Sequence, residues 1–105
     1  MDAAINLFQL PKLPFEEELV TVISDKSAVR IERIVSTGQK SDWYDQNQAE
    51  FVALLEGTAI IEFTNGVTLQ MIRGDTVTIA PHQQHRVCYT SSEPPCIWLC
   101  VFYEE

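Results

Sequence analysis

Gly38-Gln-Lys-Ser-Asp-Trp-Tyr44-Asp45-Gln46 opens a stretch that runs through Glu50 to Gly57, and Gly74-Asp-Thr-Val-Thr-Ile-Ala-Pro81-His82-Gln-Gln-His85 follows it. As patterns they read G-(x)5-Y-x-Q-(x)3-E-(x)6-G and G-(x)5-A-P-H-x-x-H. The chain has only four glycines, Gly38, Gly57, Gly66 and Gly74, and each falls where a β-type run stops. Between them the runs are short. Val29–Ser36 alternates two sets, Val29, Ile31, Arg33 and Val35 against Arg30, Glu32 and Ile34, as a strand does. Residues 51–55 are continuously apolar, as in a strand covered on both faces. Residues 59–63 lead into Thr64-Asn65-Gly66, and Asn-Gly between β-rich runs signals a hairpin because both turn positions need positive φ. Runs at 67–72, Thr76–Ile79, 86–90 and 97–103 continue the series, with Pro94-Pro95 as a stiff turn before the last. Eight or more short strands at this spacing predict an all-β sandwich or barrel.

The first 28 residues read differently. Pro11 and Pro14 interrupt any long helix, and residues 15–23 suggest a helical turn passing into a strand. Leu7, Phe8, Leu10, Leu13 and Phe15 are too many apolar side chains for a solvated tail, so residues 1–28 are expected to pack on a barrel formed by 29–105, or on a second subunit.

Composition narrows the function. A chain of 105 residues is one domain, and 46 % hydrophobic content suffices for one core. No apolar run has the length of a membrane span. The net charge of −8 argues against nucleic acid, whose phosphates attract a basic face. The start has neither basic n-region nor apolar h-region, and three unevenly spaced cysteines make a poor disulfide framework; the expected compartment is the cytoplasm. Cys100 sits mid-strand and reads as a small buried residue, Cys96 follows two prolines and is expected near the surface, and Cys88 has no assigned role.

The two spaced motifs resemble those of the cupin superfamily, usually G-(x)5-H-x-H-(x)3,4-E-(x)6-G and G-(x)5-P-x-G-(x)2-H-(x)3-N. The resemblance covers residues 30–103 and is strongest to small stand-alone cupins of about a hundred residues. It implies a jelly-roll barrel (a double-stranded β-helix of the RmlC-like kind) with an interior pocket open at one end, and commonly a homodimer. By motif position Tyr44 and Gln46 stand where a metal-binding cupin has two histidines, Glu50 is the glutamate, His85 the final histidine, and His82 replaces a glycine.

Residues two apart on an extended strand share a face. Tyr44 and Gln46 therefore point the same way, and Glu50 goes with Val52 and Leu54. Gln46, Glu50 and His85 form the candidate set for one divalent ion (iron, manganese, nickel or zinc). A shifted alignment offers Asp45 as the donor instead, with Trp43 in the first position. His82, in the turn before the strand, is a candidate extra ligand or acid/base. Tyr44, Trp43 and Trp98 are candidate walls for a flat or ring-shaped ligand. Two functions stay open. One is a metal-dependent or acid/base enzyme on a small polar metabolite; the other is a non-catalytic pocket in which Tyr44, Gln46 and Glu50 bind a small molecule without metal.

Overall fold

A computed structural model describes residues 4–105, so the first three residues of the N-terminal segment lie outside it. Eight strands follow in order: β1 (Leu19–Asp25), β2 (Val29–Ser36), β3 (Ala49–Glu56), β4 (Thr58–Phe63), β5 (Thr68–Ile72), β6 (Thr76–Ile79), β7 (His85–Thr90) and β8 (Cys96–Tyr103). There is no helix among the described residues. Five strands form one antiparallel sheet in the order β1-β2-β8-β3-β6, and three form a second in the order β5-β4-β7. The non-sequential neighbours make this a jelly roll. The Asn65-Gly66 hairpin forms, with Phe63 and Val67 joined across it by a backbone hydrogen bond of 2.9 Å.

The core lies between the sheets. Leu54, Ile61, Met71, Ile79, Trp98 and Cys100 meet there, all buried. Register explains the selection. Across the large sheet Arg30 pairs with Phe102 and Phe102 with Glu50; Glu32 pairs with Cys100 and Cys100 with Val52; Ile34 pairs with Trp98 and Trp98 with Leu54. Each row shares one face, since paired residues in neighbouring strands project to the same side.

The opposite face of β2 carries Arg33 and Val35, also buried. The N-terminal segment lies against it. The Arg33 guanidinium donates to the Gln9 carbonyl at 2.9 Å and to the Thr21 hydroxyl at 3.1 Å, and Gln39 donates its amide to the Phe15 carbonyl at 2.8 Å. Ile5 and Phe8 remain exposed.

Two expectations need correction. No helical turn forms at 15–23: β1 begins at Leu19, and the residues just before it are irregular. Val20, Thr21, Val22 and Ile23 are β-branched, and the run pairs with β2 through Leu19–Val22 and, past an irregularity at Ile23, through Ser24 and Asp25, which overrides the weak helical preference of the preceding glutamates. Cys96 is fully buried rather than near the surface. Its thiol donates to the Thr58 carbonyl at 3.2 Å, because the turn at Pro94-Pro95 brings it beneath the start of β4.

Candidate functional site

The space between the sheets is not filled completely. A cavity of about 280 Å³ remains, lined on the large sheet by Glu32, Glu50, Trp98 and Cys100, on the small sheet by Ile61, His85 and Val87, and at its mouth by Tyr44 and Gln46. That is at the small end of the range for organic ligands. Of the site residues singled out in the sequence, Tyr44, Gln46, Glu50, His85 and Trp98 line it; Asp45 and His82 do not.

The Tyr44–Gln46 stretch is extended and stitched to β7, as Tyr44 and His85 exchange backbone hydrogen bonds of 2.7 and 3.2 Å. Alternation then sends Tyr44 and Gln46 inward and Asp45 outward. Asp45 meets the His82–Gln84 turn instead. His82 Nδ1 donates to Asp45 Oδ1 at 2.7 Å, and the Gln84 amide donates to Oδ2 at 3.0 Å. These bonds, His82's first, hold the Asp45 carboxyl below its usual range. The shifted alignment that makes Asp45 a donor beside Glu50 and His85 is therefore not realised. Trp43 also lies outside, exposed, with the Arg86 guanidinium 4.6 Å above its ring. His82 has φ 62, in the left-handed region, which is why a glycine suits this motif position.

Inside the cavity, Glu50 and His85 stand together, with side chains 9 % and 5 % exposed and Oε1 3.7 Å from Nε2. Gln46 donates its amide to Glu50 Oε1 at 3.0 Å. His85 Nδ1 lies 2.8 Å from the Gln83 carbonyl. A carbonyl only accepts, so Nδ1 carries the proton, and in the neutral ring Nε2 presents a lone pair toward Glu50. The Tyr44 ring tilts over His85 at 5.4 Å between centroids. Burial pushes the Glu50 carboxyl above its usual range, against the lowering effects of Gln46 and His85. Burial likewise raises the Tyr44 phenol and raises the Cys100 thiol well above its ordinary value.

Several cavity residues were not singled out from sequence. Glu18, Arg30 and Glu32 line one side. Ser36 links Glu18 to the core: its hydroxyl donates to Glu18 at 3.4 Å and accepts from the Trp98 indole at 3.1 Å. The signal was present for Arg30 and Glu32, which share the parity of Ile34 on β2, but parity alone does not say which face looks inward.

The donor set tests the divalent ion that the motifs imply. Gln46 turns its amide nitrogen, not its ligating oxygen, toward Glu50, Tyr44 holds its phenolic proton, and Asp45 faces away. No three His, Cys, Asp or Glu side chains among the described residues stand close enough together to hold an ion. The residues do not fit a divalent metal.

The chain belongs to the cupin domain family, whose model matches residues 32–102. It is similar to a solved structure from Ralstonia eutropha JMP134, provisionally named a mannose-6-phosphate isomerase, at 31 % identity over 99 % of this chain and 100 % of that one, with a TM-score of 0.92. A cupin superfamily protein of Desulfitobacterium hafniense DCB-2 (14 % identity, 90 % and 84 % of the two chains, TM-score 0.78) shares the fold. So does an RmlC-like cupin of Desulfovibrio desulfuricans (13 %, 98 % and 97 %, TM-score 0.80). No protein of curated function matches the chain.

Proposed function

We propose that this cupin binds a small polar organic molecule in the cavity between its sheets without a metal ion, with Glu50 and His85 as a proton-exchanging pair against it. The observation that carries the reading is the buried Glu50–His85 pair, 3.7 Å apart, with Nδ1 of the histidine tied to a carbonyl. A carboxylate whose pKa is raised by burial takes up a proton more readily and can pass it on, and an imidazole nitrogen with a free lone pair is an acceptor. A ligand hydroxyl or carbonyl seated between them meets both, while Gln46 and Tyr44 orient it from the mouth.

Metal analysis of protein purified without chelator or affinity tag tests the reading. Iron, manganese, nickel and zinc are each expected far below one ion per chain. Stoichiometric metal that is lost in Glu50→Gln and His85→Ala would replace this reading with a metal centre.

The reading extends to assembly and compartment. Val20 and Val22, on the cavity-side face of edge strand β1, are 48 % and 53 % exposed, which supports a homodimer covering that face. Three free cysteines support a reducing compartment, the cytoplasm.

A further inference from the structure

We infer that the cavity selects a small cationic ligand, an amine-bearing polar molecule, over anionic or phosphorylated ones; the inference rests on the reading of the cavity as a ligand site. Three carboxylates converge on it from separate parts of the chain: Glu18 ahead of β1, Glu32 on β2 and Glu50 on β3. Against them stands Arg30, the one Lys or Arg lining the cavity among the described residues. Arg30 is committed already. Its Nε donates to Glu32 Oε2 at 2.9 Å, and its guanidinium lies 4.4 Å over the Phe102 ring. A phosphate entering the cavity finds no free cation and meets acceptors of its own sign.

A second observation points to a ligand. His85 is buried to 95 % of its side chain, and its Nε2 faces the cavity with no hydrogen bond within the described residues, leaving a lone pair that an ammonium N–H can fill. The aromatic faces of Tyr44, Trp98 and Phe102 add surfaces that favour a cation. Burial keeps Glu18 above its usual range against the lowering hydrogen bond of Ser36, the charge of Glu32 adds a smaller rise there, and Glu32 also contributes to the rise at Glu50. A bound cation offsets the contribution of Glu32 at both carboxyls. The net charge of −8 favours its approach.

Three probes on one three-carbon skeleton separate the possibilities: propanolamine, propanediol and propanediol monophosphate, titrated into the full chain while the Trp98 indole and His85 ring resonances are followed by NMR. Propanolamine is expected to move both resonances and to bind at least about tenfold tighter than propanediol, as a charge-assisted contact does over a neutral one. The monophosphate is expected to move neither. Glu32→Gln removes one carboxylate and frees Arg30, so it should abolish the preference for the amine while propanediol binding persists. Propanediol binding as tightly as propanolamine overturns charge selection and leaves the ligand-site reading standing. Tighter binding of the phosphate overturns it as well. Silence of both resonances toward all three probes overturns the inference and the ligand-site reading together.

Discussion

Glu50 concentrates the electrostatics of the site in one side chain. It is buried, accepts the Gln46 amide, and faces His85. Burial raises its folded pKa above the ordinary 4.5, so between that value and the folded pKa the native state holds a proton that the unfolded chain has released. Stability then falls as pH rises through this window and stays reduced at neutral pH. Glu50→Gln keeps an oxygen to accept from Gln46 and removes the buried charge. It is expected to gain about 1 kcal/mol at neutral pH and to flatten the decline above pH 4.5. Denaturant titrations of both proteins at several pH values check this; a variant less stable than the parent at neutral pH would show that the carboxylate is well compensated where it sits. His82 illustrates a different residue-scale compromise. Its left-handed backbone is unfavourable for a residue with a Cβ, yet the ring gains the Asp45 hydrogen bond that ties the turn before β7 to the Tyr44–Gln46 stretch.

Among elements, the turn between β3 and β4 is the tightest constraint, because there the chain leaves one sheet for the other. Gly57 has φ 91, and a Cβ on it would lie 2.8 Å from the Pro95 carbonyl oxygen and 2.9 Å from Cys96 Cα and Sγ. Much of that crowding is backbone, which cannot swing aside. Gly66, in the exposed hairpin, has a similar φ of 87 but open space around it. Gly57→Ala therefore combines conformational strain with a clash and is expected to cost more than about 3 kcal/mol, whereas Gly66→Ala carries strain alone, about 1 kcal/mol. Urea midpoints of the two variants measure the difference, and equal losses would remove the clash from the account. The motif spacing that closes on Gly57 has its physical origin in this close approach of β3–β4 to the start of β8.

For the whole molecule, the two sheets are unequal, five strands against three. The small sheet supplies Ile61 and Val87 opposite β3 and β8, while Val20 and Val22 on the same face at the β1 edge stay open. A second copy covering that edge would bury them, and Val20 lines the cavity as well. Sedimentation is expected to give a dimer mass at micromolar concentration, and Val22→Glu, which puts a charge into the covered face, is expected to shift it to the monomer. A parent protein that sediments as one chain would leave the β1 edge without a partner of this kind.

The all-β class and most strand boundaries were legible in the residues, because glycines and the Asn65-Gly66 turn punctuate the chain locally and a two-residue period marks extended backbone, while the jelly roll itself followed from the resemblance of the two spaced motifs. So was the grouping of Tyr44 with Gln46 and of Glu50 with Val52, since face sharing follows from that period alone. The tertiary structure decided the rest. Val35 and Ile34 are both apolar, and β2 is covered on one side by the N-terminal segment and faces the cavity on the other. Hydrophobicity therefore could not say that Arg30 and Glu32 look into the cavity while Arg33 looks away. The exclusion of Asp45 and His82, and the burial of Cys96, likewise depend on which distant strand lies alongside: β7 against the Tyr44 stretch, β4 above the Pro94-Pro95 turn. Local sequence sets which side chains travel together. Long-range pairing sets what they face, and the acidic character of this cavity belongs to the pairing.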